Sequence, residues 1–286
     1  MNVTIGDRRY DIDVLERARS AAPDHVAIVV PCHGGFPLTR LCLDAIERFT
    51  DVPYELWVVD NASDKTTVDR LVNETHANVV LNHTAPWKRG GILGRFVPWW
   101  RQPGGGSLAN AVALELAARF AKARWMWVMH NDAMPARRGW LSDVLARTSD
   151  RVRGVTMRRD KTRVEAMHQS GFLFDFSLYG PLAMSFLPKL PEYDVGDLVT
   201  VRLHDAGYRI HVCDNIYNRP ELRERLGEGH WLHDINCDVA FDAAGEIFYL
   251  HLGRGTLRSS KPGSGHAQQL AVDDWVALAR SNLFTT

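Results

Sequence analysis

Two apolar runs of this sequence end in acidic residues: Val58-Val59-Asp60-Asn61-Ala62-Ser63-Asp64 and Trp127-Val128-Met129-His130-Asn131-Asp132. Carboxylates of this kind hold a divalent cation or accept N–H groups from a bound ligand. The runs themselves, Glu55–Val59 and Trp125–Met129, are short, apolar and bounded by polar residues, as expected of buried strands in a parallel sheet. Ligands of open α/β sheets bind outside the carboxyl ends of the strands. Two neighbouring strands would therefore bring their carboxylates to one edge, where a nucleotide and a cation can meet. The competing explanation is structural, because acidic residues also follow strands as N-caps of the next helix. Asp64 suits that role ahead of Thr66–Glu74.

Other reactive clusters carry less. His230-Trp231-Leu232-His233-Asp234, with Cys213 and Cys237 elsewhere in the second half, matches no familiar zinc spacing. Gly104-Gly105-Gly106 has no following Lys-Ser/Thr pair of a phosphate loop. No G-x-G-x-x-G follows the first strand, and no G-x-S-x-G elbow is present, which argues against a nicotinamide enzyme and an α/β-hydrolase.

Composition narrows the class. The 286 residues are 45% hydrophobic and 24% charged, the balance of a globular protein. Thirty-four basic residues offset 34 acidic ones, so no global field favours nucleic acid or an anionic membrane. The amino terminus, Met1 to Ala22, lacks the apolar centre of a signal peptide, and no stretch reaches the ~20 apolar residues of a membrane span. The four cysteines, without C-x-x-C spacing, read as reduced core thiols. A cytoplasmic protein is expected.

The first half alternates strand and helix. Strand Val26–Pro31 is followed by a helix over Leu38–Phe49, strand Glu55–Val59, helix Thr66–Glu74 and strand Asn78–Leu81. Leu108, Val112, Leu116 and Phe120 recur every fourth position, predicting a helix over Leu108–Ala121 with Ser107 as N-cap. Strand Trp125–Met129 and helix Trp140–Arg147 follow. The alternation predicts an α/β fold with a doubly wound, mostly parallel sheet. Residues 83–106 break the rhythm with an aperiodic mixture of Arg, Lys, Trp and Gly. Such a segment can pack on the body as a lid, stack on sugars, bind a nucleic acid strand or touch a membrane surface. The second half predicts strand Val152–Met157, an apolar and aromatic stretch over Gly171–Tyr179, helix Asp194–Ala206 ended by Gly207, and strands Tyr208–Cys213 and Ile247–Leu252. A Ser/Gly-rich tail, Ser259–His266, precedes a last helix over Ala271–Arg280.

Taken in order, these pieces resemble the family-2 glycosyltransferases of GT-A fold. The resemblance rests on Val26–His33, Leu41–Ile46 and Glu55–Asp64 at the opening, and on Ser107–Asn110 at the start of the next helix. Met129-His130-Asn131-Asp132-Ala133-Met134-Pro135 is similar to the family's metal-binding DXD region. The Asp197 segment through Ile210 resembles the acceptor-side helix that carries the base, and His251-Leu-Gly-Arg-Gly-Thr256 a late histidine motif. The match is colinear from about residue 26 to residue 256.

The resemblance implies a role for each position. Asp132 would be the carboxylate ligand of Mn²⁺ or Mg²⁺, with His251 and His130 as further ligands. Asp60 would accept hydrogen bonds from the nucleotide base, with Pro31, His33, Asn61, Ser63, Asn110 and Asn131 completing the nucleotide site. Ser63 equally suits a cap of the following helix. Asp197 is the preferred general base, Asp194 the alternative; Asp194 also stands where a helix N-cap is expected. Two departures from the family pattern stand out. His130 replaces the first acid of the DXD motif, and the base segment reads Asp194-Val195-Gly196-Asp197, shifted by about one residue.

The implied activity is metal-dependent transfer of a sugar from a nucleotide-diphosphate sugar, UDP-sugar first among donors, to a hydroxyl acceptor with inversion. The acceptor is open: a glycan, a lipid-linked glycan, a natural product or a modified nucleic acid base. The alternative is a GT-A-like module that binds a nucleotide or glycan without transfer. The expected organisation is an extension over 1–25, a nucleotide-sugar half over 26–150, an acceptor and catalytic half over 151–258, and a tail with a helix over 259–286. Segment 83–106 would supply any peripheral membrane contact.

Overall fold

A computed structural model of the chain describes residues 1–17, 22, 24–85, 105–161, 164–253 and 270–285. Most of segment 83–106, including Trp99 and Trp100, and the tail 259–266 lie outside them. So do residues 254–256 of the late histidine motif.

The centre of the main sheet is built from β3 (Val26–Cys32), β4 (Tyr54–Asn61), β5 (Asn78–Asn82) and β6 (Trp125–Val128). These four strands pair in parallel in the order β5-β4-β3-β6. Every residue of β3 and β6 is buried, which explains their unbroken apolar sequence. On one flank, β2 (Arg8–Leu15) runs antiparallel to β5, and β1 (Asn2–Ile5) antiparallel to β2. On the other, β9 (Phe172–Asp175) pairs antiparallel to β6 and to β8 (Val152–Thr156), which pairs in parallel with β10 (Arg209–Val212). Following these pairings across the sheet, only β2 and β9 among its nine described strands run against the rest. The α/β, mostly parallel architecture is as expected.

A second sheet of four strands has the order β11 (Asp214–Asn215), β12 (Asp238–Phe241), β13 (Ile247–His251), β7 (Ala133–Pro135), all antiparallel. It packs with α1 (Phe36–Phe49), α4 (Trp140–Leu145) and the carboxyl-terminal α6 (Val272–Leu283) into one core on one face of the main sheet. Trp127, Trp140 and Tyr249 meet there edge to face, ring centroids 4.9 and 5.4 Å from Trp127. A second core on the opposite face joins α3 (Gly105–Phe120) to the β1–β2 hairpin and to α5 (Asp197–Asp205). Helix α2 (Lys65–Glu74) completes the first half.

Three local expectations are corrected. Ser107 is no N-cap: α3 already starts at Gly105, and Asn61 Nδ2 donates to Ala109 O at 2.7 Å, holding this early turn against β4. Tertiary contact overrides the low helix propensity of glycine here. Asp194 is no N-cap either. Helix α5 begins three residues later, after Gly196, whose φ of 75° turns the chain into the helix in a conformation glycine adopts freely. The polar amino terminus, for which no element was expected, supplies β1 and β2. Val3, Ile5, Tyr10 and Ile12 alternate with exposed residues and bury one face of the hairpin.

All four cysteines are buried and unbridged. Among the described residues, no helix is long and apolar enough to cross a membrane.

Candidate active site

The site lies at the carboxyl ends of the central strands. Strand β3 separates β4 from β6, so the ends of β4 and β6 lie two strand spacings apart, about 10 Å. Asp60 is the second-last residue of β4 and is 1% exposed. Its carboxylate accepts the Ser63 N–H at 3.0 Å and the Ser63 hydroxyl, and the Cys32 thiol of β3 lies 3.5 Å away. Ala62 sits between them at φ 56°, a left-handed conformation unusual for a residue with a side chain, which folds Ser63 back onto Asp60. Ser63 Oγ also accepts the Gly34 N–H at 2.8 Å, tying the loop after β3 to the loop after β4. The helix cap is Asp64, which accepts the Thr67 N–H at 2.9 Å; Ser63 is left to the site.

The remaining positions expected around a nucleotide are distributed unevenly. Pro31 is in β3, buried, and pairs with Val59. His33 Nδ1 lies 2.7 Å from Asn61 O. Both polar ends of the Asn61 side chain are engaged, by Ala109 O and by Asn82 Nδ2 at 3.0 Å. Asn131 donates to Thr39 Oγ1 of α1 at 3.0 Å. Asn110, in α3, faces His130, with Nδ2 3.4 Å from His130 Nε2.

Beyond β6 the chain turns through His130 and Asn131 to Asp132 and enters β7 directly. From the neighbouring β13, His251 reaches the same point. One ligating atom each from His130, Asp132 and His251 lies within 4.8 Å of the others. Asp132 Oδ1 is 3.8 Å from His130 Nδ1 and 3.5 Å from His251 Nε2. The Leu252 N–H donates to Asp132 O at 3.0 Å, fastening the end of β13 to the turn.

Burial disfavours a charged His251, but Asp132 and Asp238 outweigh it and raise the imidazole to about 9. His130 goes the other way. Burial lowers it to about 4, with the Asp132 charge only partly offsetting this and the charges of His251 and Arg158 adding to the depression. Two imidazoles and one carboxylate converging within 4.8 Å are a donor set suited to first-row divalent ions. The residues fit a metal.

Three residues around this centre carried no signal in the sequence. Asp238, at the start of β12, accepts from His251 Nδ1 at 3.1 Å and is ion-paired with Arg158. His168 completes a ring of imidazoles, its centroid 5.7 Å from that of His130 and 6.1 Å from that of His251. Burial first, then the charges of Arg158 and the other histidines, push His168 well below the ordinary histidine value. None of these three belongs to a short motif; only the fold assembles them.

Asp197 is the first residue of α5, 3% exposed, and its Oδ2 accepts the Asp194 N–H at 2.7 Å. Asp194 Oδ1 accepts the Val195 N–H at 2.8 Å. The segment is anchored to the strand side through Gln169, whose amide donates to Val195 O, and through Met167 N, which donates to Thr200 Oγ1 at 3.0 Å. Gln169 and His168 are adjacent, so the base candidates and the imidazole ring share one support. The cluster His230-His233-Asp234 forms no group with metal-ligand spacing among the described residues.

No protein-family model matches the chain and no curated protein resembles it closely enough to count. Solved structures match it over part of its length. The mannosyltransferase PcManGT from Pyrobaculum calidifontis, in complex with GDP-Man and Mn²⁺, has 22% identity over 69% of this chain and 58% of its own, at a TM-score of 0.47. TarS 1-349 of S. aureus in complex with UDP-GlcNAc has 15% identity over 66% of this chain and 55% of its own, TM-score 0.45. GalNAc-T7 with UDP, GalNAc and Mn²⁺ has 13% identity over 65% and 41%, TM-score 0.47. The chain thus spans well under two thirds of the length of these proteins. Likeness at this level assigns no role to any residue of this chain.

Proposed function

We propose that this protein is a glycosyltransferase that moves a sugar from a nucleotide-diphosphate sugar to a hydroxyl acceptor with inversion. The observation that carries the proposal is the convergence of His130, Asp132 and His251 beyond the carboxyl end of β6, on the same edge of the parallel sheet where Asp60 and Ser63 follow β4. The colinear motif resemblance supports it independently of that geometry. A recognition module has no need of three converging ligands in addition to a base-binding carboxylate, which weighs against a purely binding protein.

His130, Asp132 and His251 would hold Mn²⁺ or Mg²⁺. Bound there, the cation supplies Lewis-acid charge to the diphosphate leaving group. Asp60 accepts N–H groups of the nucleotide base, a task its buried and already oriented carboxylate suits. Asp197 takes the proton of the acceptor hydroxyl as its oxygen attacks the anomeric carbon from the side opposite the leaving nucleoside diphosphate. UDP-sugars are the first donors to test. The acceptor is a glycan, a lipid-linked glycan, a natural product or a modified base.

The test is a panel of nucleotide sugars scored by thermal shift and by donor hydrolysis, with Mn²⁺, with Mg²⁺ and with chelator. One donor should both raise the melting temperature and be hydrolysed in a metal-dependent way. No stabilisation by any nucleotide sugar with either metal would overturn the proposal.

A further inference from the structure

The two candidate histidine ligands present different nitrogens to the centre, and each has a polar partner on the nitrogen that faces away. His251 turns Nε2 to Asp132 and Nδ1 to Asp238. His130 turns Nδ1 to Asp132 and Nε2 to Asn110. A ligating imidazole needs its inward nitrogen bare and its outward nitrogen protonated, and the outward hydrogen bond decides which tautomer forms.

Asp238 meets this need as it stands. Its carboxylate can only accept, so it keeps the proton on Nδ1 of His251 and leaves Nε2 for a metal. Arg158 holds Asp238 by an ion pair and lies over the Tyr217 ring at 3.9 Å, fixing the acceptor in place. Asn110 meets it after one change. Its Oδ1 is buried without a hydrogen-bond partner among the described residues, while its Nδ2 faces a ring nitrogen. A half-turn of the amide leaves the shape unchanged, gives the orphaned oxygen the Nε2–H of His130, and bares Nδ1.

We propose that Asp238 and Asn110 are positioning residues that fix opposite tautomers on His251 and His130, so that metal is bound through Nε2 of one and Nδ1 of the other. This rests on the metal reading of the centre given above, and it moves Asn110 from the nucleotide site to the support of a metal ligand. Partners of this kind typically govern metal affinity by about 10- to 100-fold.

The experiment uses the full chain with Zn²⁺ as a diamagnetic probe and Mn²⁺ for affinity. Imidazole ¹⁵N shifts of the Zn²⁺-loaded protein should report metal at Nε2 of His251 and at Nδ1 of His130. Titration calorimetry should show Mn²⁺ binding weakened about 10-fold or more in Asn110→Leu, which keeps the size and removes the acceptor. Asn110→Asp, which keeps an acceptor, should stay within about threefold of wild type. Asp238→Asn should weaken binding in the same range while Arg158 keeps a partner, so that its melting temperature without metal stays near that of wild type. Metal on the same nitrogen of both rings, or unchanged affinity in Asn110→Leu and Asp238→Asn, would overturn the positioning role while the metal site stands. A wild-type protein that binds neither ion would overturn both.

Discussion

Asp132 Oδ1 and His251 Nε2 stand 3.5 Å apart at the point where the main sheet passes into the small one. One residue follows β6 and the other ends β13, so the pair joins the two sheets. If this is a metal centre, occupancy should register in stability. With Mn²⁺ at 100 times its dissociation constant, wild-type protein should gain about 2.7 kcal/mol against unfolding. Asp132→Ala should gain nothing, and should lose transfer activity to the level of chelated wild type. Chemical denaturation with and without Mn²⁺ measures the first, and a radiolabelled-donor assay the second. Transfer that survives chelation would count against the metal.

The proposed base, Asp197, begins α5, and Asp194 donates its N–H to it. Asp197→Asn keeps the acceptor for that N–H and removes the proton acceptor for chemistry. Turnover should fall by roughly 10²–10⁴-fold with donor affinity preserved. Should Asp194→Asn produce that loss and Asp197→Asn spare the rate, the assignment reverses. Single-turnover kinetics alongside donor binding separates the two.

A pH effect is expected away from the centre. His211 Nε2 lies 2.9 Å from Arg147 Nη1, and burial, then the Arg147 charge, lower its pKa below the ordinary value of 6.5. The unfolded chain therefore binds the proton more readily than the folded one. His211's contribution to stability is complete above pH 6.5 and is lost as pH falls through its lower folded value. Wild-type melting temperature should consequently drop more between pH 7.5 and 5.5 than that of His211→Gln. Equal drops in scanning calorimetry would show that His211 does not titrate on unfolding.

Gly171 sits where β9 begins, beneath the ring of Tyr249. A methyl group there would lie 2.8 Å from Met157 Cγ and 2.8 Å from Tyr249 Cε1. Tyr249 cannot give way easily, since its hydroxyl donates to Ser170 O at 2.6 Å. Gly171→Ala should cost about 1–3 kcal/mol, visible as a lower urea midpoint with unchanged slope. A midpoint like that of wild type would mean that the strands relax around the added carbon.

What the sequence made legible follows from how each part is stabilised. Strands β3, β4 and β6 are buried on both faces and announce themselves as apolar runs. The positions of Asp60 and Asp132 follow from them, because residues at or just past the carboxyl end of a central strand lie along that edge of the sheet. Strand β7 has three residues, too few to show a period, and its pairing with β13 is what delivers His251 to Asp132. Asp238 and Arg158 are far apart in sequence and sit in no motif, so their ion pair is a product of the tertiary fold alone. The start of α5 at Asp197, not Asp194, has a local cause. Asp194 has the side chain of a cap, but the chain turns at Gly196, whose backbone freedom outweighs a capping side chain two residues earlier.

Strand β7 starts at Ala133, the residue after Asp132, so no slack separates a candidate ligand from the second sheet. The turn from Met129 to Asp132 therefore works as a spacer of fixed length. Adding one residue to it would either displace His130 from Asp132 and His251 or slip β7 by one residue against β13, and such a slip turns every β7 side chain to the other face. The hairpin between β12 and β13 has no such constraint: Asp242 closes it by accepting the N–H groups of Ala244 and Glu246 on the surface. Length variation in related chains, and any engineered insertion, should accordingly be accepted at 243–245 and refused at 130–132.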